Sequence, residues 1–455
     1  MRKIFRLWLI ISFLCIGLVG QIAQEKEKSE DELIAKAHHL LDALQSNDFK
    51  GATRDFNTRM LELLGPEKLG ETWKMTLDMF GAFKKKGTAR KEQGAHDIVF
   101  IPCEFDKMTL DARVSFDKEK SIAGLYFVPI KSQQEIVYQT PSYSSPGLFA
   151  EKEVTVTSGE FSLPGTLTIP NGNGPFPALV LVHGSGPNDR DETVGPNKPF
   201  KDLAWGLASR GIAVLRYEKR TRVYGAQLME DPKFAESFTV RQETIEDALA
   251  GVKLLKSEKS IDPGKIVVLG HSLGGMMIPR IAVEGKELDI AGFIIMAGLT
   301  RKMEDTLYEQ MNYICNLDGT ITKEEEKMLF DINAAREKIK TLKKTDASSR
   351  EMVIMAPVCY WLDLNEYEPV KVVKAIEKPI LVLQGGRDYQ VTTVDFENWQ
   401  KALSDHKNTD FKLYPTLNHL FFEGEGKITP GEYEKNQKNI AGYVINDIAE
   451  WVKKI

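Results

Sequence analysis

The stretch that decides the fold is Lys265-Ile-Val-Val-Leu-Gly-His-Ser-Leu-Gly274, in which an apolar run leads into a Gly-x-Ser-x-Gly string. A helix-like sequence follows, so the string lies between a predicted strand and a predicted helix. A sharp turn there crowds the residues around its centre, and Gly270 and Gly274 leave those positions free of side chain. The helix start would direct free N–H groups and its positive dipole end towards Ser272. This layout predicts that Ser272 is a nucleophile held in a tight turn.

Two further candidate residues follow Ser272 along the chain, each just past an apolar strand pattern. The run Lys378–Gln384 breaks at glycines and leads to Asp388, and the run Phe411–Tyr414 leads to His419. Because parallel strands end at the same edge of a sheet, we expect the three side chains to meet there. A serine, an acid and a histidine in this chain order predict a catalytic triad.

Other residues compete for the acid and base positions. Asp395 and Glu423 are the alternatives to Asp388, but Asp395 falls inside a predicted helix. Of the seven histidines, His183 precedes a glycine-rich loop and His271 precedes the nucleophile. We expect His183 to brace that loop and His271 to pack beside Ser272.

A loop of small residues lies upstream of these motifs. The run Pro177–His183 is typical of a fully buried strand, and it opens into Gly184-Ser-Gly-Pro187. Small residues there let the backbone turn its N–H groups towards a reacting carbonyl. We predict an oxyanion hole formed by the backbone N–H groups of Leu273 and Ser185, in which the loss of one donor typically costs about 10²–10³ in kcat.

The residues from about 150 to the C-terminus resemble an α/β-hydrolase of the bacterial serine-hydrolase type. The resemblance covers about two-thirds of the chain and includes the triad positions together with four runs: His183–Pro187, Asn188–Asp191, Gly195–Phe200 and Gly211–Arg220. This pattern is similar to esterases and dienelactone-hydrolase-like proteins. It implies a mostly parallel sheet flanked by helices, with a helical cap. The dienelactone hydrolases proper use a cysteine nucleophile, so Ser272 favours ester over lactone chemistry.

The residue types predict a serine hydrolase mechanism for a small-molecule ester. His419 would take the proton of Ser272, and Asp388 would hold the imidazole in the required tautomer. Neither a metal nor an organic cofactor is expected. A peptidase of the serine aminopeptidase or prolyl-oligopeptidase type shares the triad and its order, and it is the enzymatic alternative. A non-catalytic binding protein is the third reading, which a complete triad disfavours.

The N-terminus has the pattern of a secretory signal. Three basic residues, Arg2, Lys3 and Arg6, precede an apolar run that ends at Val19 and is short for a bilayer span of about 20 residues. We predict a signal peptide over residues 1–20 and an exported protein without a stable membrane span; an uncleaved N-terminal anchor is the alternative. The chain has 60 basic and 65 acidic residues. Its net negative charge gives no support for nucleic-acid binding.

Cysteine usage predicts no disulfide framework. Three cysteines, Cys103, Cys315 and Cys359, remain after the predicted cleavage. An odd number cannot pair completely. A bridge between Cys315 and Cys359 stays open, although we expect all three to be free and buried.

Residues 29–130 are predicted to form a small α+β domain. Apolar residues recur at helical spacing from Leu33 to Leu44, and Trp73, Leu77, Phe80 and Phe83 suggest a further helix. Three strand patterns joined by polar turns follow. The domain resembles a domain of unknown function with an NTF2- or cystatin-like look that precedes hydrolase domains in some bacterial exported proteins. We expect a packing or dimerisation role, which leaves a homodimer open, rather than substrate binding.

Residues 131–150 are rich in turn-forming residues and are predicted to be a linker. The hydrolase domain then spans residues 151–455. Its alternation of strands and helices breaks between residues 300 and 377, where a charged helical stretch is expected to form the cap. Eight apolar residues of this insertion are candidates for lining a substrate pocket or for holding the cap together: Met303, Tyr308, Met311, Tyr313, Met352, Met355, Tyr360 and Trp361.

Overall fold

The computed structural model describes residues 32–93, 97–129, 138–231, 233–434 and 436–455. The described residues up to 129 form one compact unit, and those from 138 onwards form a second. The predicted signal peptide lies outside the described residues, as do residues 131–137 of the predicted linker. Within the described part of the chain, no helix is long and apolar enough to cross a bilayer.

The N-terminal unit begins with helices and continues into an antiparallel sheet. Its helices are Glu32–Gln45, Phe49–Ala52, Thr58–Leu63 and Pro66–Phe80 (α1–α4), and its strands are Phe83–Lys86, Arg90–Gln93, Asp97–Phe105, Thr109–Phe116 and Ile122–Pro129 (β1–β5). The strand order is β1-β3-β4-β5, with β2 also paired to β3. Helix α1 buries an apolar stripe, as its helical spacing predicts.

The sequence expectation for Phe83 is wrong. Helix α4 ends before it, because Gly81 has a φ of +86° that continues no right-handed helix. Phe83 starts β1 instead, and its ring lies 5.9 Å from that of Trp73, between centroids. The two rings therefore pack together across the turn from α4 into β1, and not along one helix.

The second unit is built on an eight-stranded sheet. Its strands are Phe149–Ser158, Phe161–Pro170, Phe176–Val182, Ala213–Tyr217, Ile261–His271, Gly292–Met296, Ile380–Gly385 and Thr409–Tyr414 (β6–β11, β14 and β15). The order is β15-β14-β11-β10-β8-β9-β7-β6, parallel from β15 to β9 and antiparallel at β7 and β6. Strands β9, β11 and β14 are buried along their whole length, as the continuous apolar runs of a helix-covered parallel sheet require.

The helices that accompany the sheet lie largely between successive strands. They are Pro199–Ala208, Arg220–Glu230, Phe234–Ser237, Glu246–Ser257, Leu273–Glu284, Thr393–Ala402 and Gly442–Lys454 (α5–α9, α14 and α15). A π-helical turn, Arg241–Ile245, leads into α8. The predicted fold class is confirmed: the sheet is mixed but mostly parallel, and helices flank it.

The insertion between β11 and β14 is mostly helical. It contains the helices Met303–Cys315, Lys323–Thr341, Val358–Glu366 and Pro369–Val372 (α10–α13) and a two-stranded ribbon, Met352–Val353 and Ala356–Pro357 (β12 and β13). The longest helix starts with a capping box between Thr322 and Glu325, which satisfies two free backbone donors. These elements lie within residues 300–377, where the alternation of strands and helices breaks.

Candidate active site

Ser272 lies in a strained turn between β10 and α9. Its backbone has φ 55° and ψ −115°, a conformation that costs free energy and persists where the surroundings enforce it. A Cβ on Gly270 would lie 2.2 Å from the Gly274 carbonyl oxygen, and one on Gly274 would lie 2.3 Å from the Val182 carbonyl oxygen. Neither position admits a side chain, so both glycines are needed for the turn to close against β8. The side chain of Ser272 is half-buried.

Asp388 and His419 form a buried pair at the C-terminal ends of β14 and β15. The Nδ1 of His419 lies 2.6 Å from Oδ2 of Asp388. The other oxygen, Oδ1, accepts the backbone N–H groups of Gln390 at 2.7 Å and Val391 at 3.0 Å. These bonds fix the carboxylate, and an Nδ1–H that donates to it leaves Nε2 of His419 unprotonated, as a general base requires.

The structure brings His419 to the nucleophile turn through its neighbour His271. The rings of His271 and His419 lie 4.7 Å apart between centroids, and Nε2 of His271 lies 2.9 Å from the His419 carbonyl oxygen. Within the described residues, the Ser272 hydroxyl makes no hydrogen bond, so its bond to His419 is not formed. Such bonds are often long in free enzymes and shorten when substrate binds.

The rival acids lie elsewhere. Asp395 is fully buried in α14 and accepts hydrogen bonds from Thr300 and Arg301. Glu423 is exposed. Of the three acids, Asp388 is the one that contacts His419.

The glycine-rich loop after β8 lies close to Ser272. A Cβ on Gly184 would lie 3.1 Å from that of Ser272. The N–H of Gly184 donates to Oε1 of Glu192 at 2.7 Å and is therefore occupied. The N–H groups of Ser185 and Leu273 have no acceptor among the described residues. The two predicted oxyanion donors are thus unused, whereas the neighbouring N–H of Gly184 is occupied by Glu192.

Glu192 also holds His271 in a buried ion pair. Its Oε2 lies 2.9 Å from Nδ1 of His271. Burial favours the neutral forms, but the mutual attraction outweighs it: the pKa of His271 is raised and that of Glu192 is lowered. The ion pair therefore favours the protonated form of His271, directly before Ser272 in the chain.

His183 has the opposite electrostatic character. It is buried between Phe200 and Tyr217, with ring centroids 4.9 and 5.3 Å away. Burial lowers its pKa to about 4, because the opposing effect of the nearby Glu192 carboxylate is smaller. His183 is therefore a neutral residue that packs beneath the loop, whereas the ion pair with Glu192 favours the protonated form of His271.

Sequence reasoning missed three charged residues of this site: Glu192, Lys219 and Glu243. All three side chains are buried. Lys219 donates to the Gly184 carbonyl oxygen at 2.7 Å and pairs with Glu243 at 2.7 Å. One signal was present, since Lys219 lies two residues after a buried strand and Glu192 follows the glycine-rich loop at the same sheet edge.

A cavity of about 440 Å³ lies beside the acid. Its lining includes Asp388, Arg387, Tyr389 and Tyr313, whose ring stacks on that of Tyr389 at 4.8 Å between centroids. Ser272 is not among the lining residues. Most of the eight apolar cap residues named above are not in contact with this cavity; Met303, Met311, Tyr360 and Trp361 are buried in the core, and Met352 and Met355 are exposed.

The described cysteines are buried, and no disulfide joins any two of them. Cys103 lies in the N-terminal unit, and Cys315 and Cys359 lie in the cap insertion. No bridge joins Cys315 to Cys359.

Known proteins match both parts of the chain. A profile of the alpha/beta hydrolase family matches residues 179–425, and a profile described as a protein of unknown function (DUF3887) matches residues 37–125. Esterase EstD of Thermotoga maritima is 40% identical over 412 residues, which are 90% of this chain and 93% of that protein.

Two solved structures are also similar. The Pyrococcus furiosus esterase PF2001 aligns with a TM-score of 0.42 and 16% identity, over 67% of this chain and 91% of that chain. Est1E from Butyrivibrio proteoclasticus aligns with a TM-score of 0.42 and 17% identity, over 66% and 96%. The family profile spans more than half of the chain and the relative EstD nearly all of it, so this chain belongs to the alpha/beta hydrolase family.

Proposed function

We propose that this protein is a serine esterase that hydrolyses carboxylic esters through an acyl-enzyme on Ser272. The observation that carries the proposal is the buried Asp388–His419 pair beside a strained Ser272 turn, with two backbone N–H groups unused next to it. The 40% identity to a protein named as an esterase supports the choice of ester substrates.

In the proposed reaction, His419 Nε2 takes the Ser272 proton as the serine oxygen bonds to the ester carbonyl carbon. The N–H groups of Leu273 and Ser185 stabilise the negative charge that develops on the carbonyl oxygen. The protonated His419 then gives its proton to the departing alcohol, which leaves the acyl group on Ser272. Water, deprotonated by His419, attacks the acyl group and regenerates the serine.

The imidazolium that forms twice in this cycle is stabilised by Asp388. That carboxylate is fixed by two backbone N–H groups and cannot rotate away from His419 without losing them. The ring of His271 packs against that of His419, with 4.7 Å between the centroids. Both neighbours therefore restrain the orientation of the His419 ring.

Hydrolysis of p-nitrophenyl esters from acetate to palmitate by wild type and Ser272→Ala tests the proposal. We expect the variant to lose at least about 10⁴-fold in kcat, because the nucleophile is gone while the fold is kept. An equal rate in both proteins would contradict the proposal. If a folded wild type cleaves aminoacyl-nitroanilides faster than every ester, the protein is a peptidase instead.

A further inference from the structure

Gly184 is held from both sides by buried charged side chains. Glu192 accepts its N–H at 2.7 Å, and the Lys219 ammonium donates to its carbonyl oxygen at 2.7 Å. Asn188 adds a longer contact of 3.2 Å to the same carbonyl. Lys219 is about 1% exposed. Burying an ammonium costs several kcal/mol unless it is well paired. A lysine buried against this carbonyl oxygen therefore indicates a function for the contact.

The Gly184 carbonyl and the Ser185 N–H belong to one peptide unit. That unit is planar and trans, so its C=O and N–H bonds point in opposite directions. Lys219, placed on the carbonyl side, therefore fixes the Ser185 N–H to point away from itself. A cation on the carbonyl also polarises the peptide and strengthens its N–H as a donor.

The ammonium is in turn paired with a carboxylate, and that carboxylate accepts a hydrogen bond from a cap residue. Glu243 pairs with Lys219 at 2.7 Å and accepts the Tyr360 hydroxyl at 2.5 Å through its other oxygen. Glu243 lies in the π-helical turn before α8, a rare conformation that is frequent at functional sites. Tyr360 lies in α12 of the cap insertion, and all three side chains are buried.

We propose that Lys219, Glu243 and Tyr360 are positioning residues that aim the Ser185 N–H at the oxyanion and tie its orientation to the cap. The proposal rests on the proposed function, because it needs charge to develop on an oxygen beside Ser272. The three residues touch no reacting atom. They act through one peptide unit, so their loss weakens transition-state binding more than substrate binding.

The main test compares Lys219→Met with Arg220→Met. Arg220 is the next residue, is equally buried and pairs with Asp247 at 2.5 Å, but no contact joins it to the glycine-rich loop in the described structure. We expect both variants to lose stability. Lys219→Met should lose about 10–100-fold in kcat with KM within about threefold, whereas Arg220→Met should keep kcat within about threefold. Equal kcat losses in the two variants would overturn the proposal.

A milder pair serves if Lys219→Met does not fold. Tyr360→Phe removes one hydroxyl from the network, and Tyr138→Phe removes a hydroxyl that donates to Asp202 at 2.5 Å, away from the loop. We expect about a 2–5-fold lower kcat for Tyr360→Phe alone, with KM unchanged. Indistinguishable kcat values for these two variants would overturn the coupling to the cap.

Labelling by an alkyl fluorophosphonate separates this proposal from the proposed function. The Ser272 oxygen bonds to phosphorus, fluoride leaves, His419 accepts the serine proton, and the phosphoryl oxygen takes the oxyanion position. We expect the labelling rate to fall in Lys219→Met and Tyr360→Phe in the same ratios as kcat. A labelled wild type without ester turnover would contradict the esterase alone. Equal labelling of all variants would contradict the positioning role alone, and an unlabelled wild type would contradict both.

Discussion

The two sides of the site are held in different ways. Around Ser272, close backbone packing holds the turn: Gly270 and Gly274 pack against carbonyl oxygens at distances that exclude any side chain. Around Gly184, buried charged side chains hold the loop: Glu192 accepts the N–H, and Lys219 donates to the carbonyl oxygen. Close packing sets a position rigidly and is insensitive to pH, whereas buried charges orient a dipole and respond to protonation. In the proposed mechanism, the nucleophile is thus placed sterically and the oxyanion donor electrostatically.

The largest effect is expected on the triad itself. Asp388→Asn should lower kcat by about 10⁴-fold, because an amide favours the wrong tautomer of His419. Asp395→Asn is the control, since Asp395 is also a fully buried acid but is bound to Arg301. Esterase rates of the two folded variants decide the matter. A smaller loss for Asp388→Asn than for Asp395→Asn would reverse the assignment of the acid.

Adding one methyl group at the turn around Ser272 should disrupt its close packing. Gly274→Ala places a Cβ 2.3 Å from the Val182 carbonyl oxygen, and we expect kcat to fall about 10²-fold and stability by about 1–3 kcal/mol. In contrast, Gly225→Ala in α6 meets no atom within 4 Å and should stabilise the fold by about 0.5–1 kcal/mol. Urea unfolding and esterase rates measure both. Normal activity in Gly274→Ala would show that the turn is not sterically closed.

His183 should make the loop sensitive to acid. Its folded pKa of about 4 lies below the ordinary 6.5, so only the unfolded chain binds the proton between these values. Stability should therefore fall by about 3 kcal/mol as the pH drops from 6.5 to 4. His183→Phe removes this contribution, and its free energy of unfolding should fall less over that range. Urea unfolding at pH 4.5 and pH 7.5 gives the comparison, and identical acid losses in both proteins would exclude His183 as the cause.

Glu192 should show the smallest effect and a different pH dependence. Because the folded pKa of Glu192 is lowered, the contribution of Glu192 to stability is present above its ordinary pKa of 4.5. Because the folded pKa of His271 is raised, the contribution of His271 is present in full below its ordinary pKa of 6.5. Both are in full force between these values, and the ion pair weakens as the pH rises through the folded pKa of His271. Glu192→Gln should therefore destabilise by about 1–2 kcal/mol at pH 5.5 and by less at pH 9. Unfolding curves at the two pH values test this, and a pH-independent loss would mean that His271 is neutral.

Sequence patterns were sufficient for the fold, and they brought Ser272, Asp388 and His419 forward as the triad candidates. The continuous apolar runs before Ser272 and Asp388 predicted buried parallel strands, and such strands end at one edge whatever their side chains are. Phe83 was misassigned because helical spacing cannot reveal where Gly81 turns the chain. The eight apolar cap residues could not be sorted from spacing, since burial depends on which elements pack over them.

The sequence by itself determined the local parts of this protein: the Gly-x-Ser-x-Gly turn, the order of Ser272, Asp388 and His419, and the alternation of strands and helices. These depend on neighbouring residues and on chain order, which a sequence contains. Only the tertiary structure decided that Glu192 and Lys219 converge on Gly184 beside Ser272, and that Glu243 pairs with Lys219 there. A charged residue in a sequence is by default a surface residue, and its burial depends on partners that are distant along the chain.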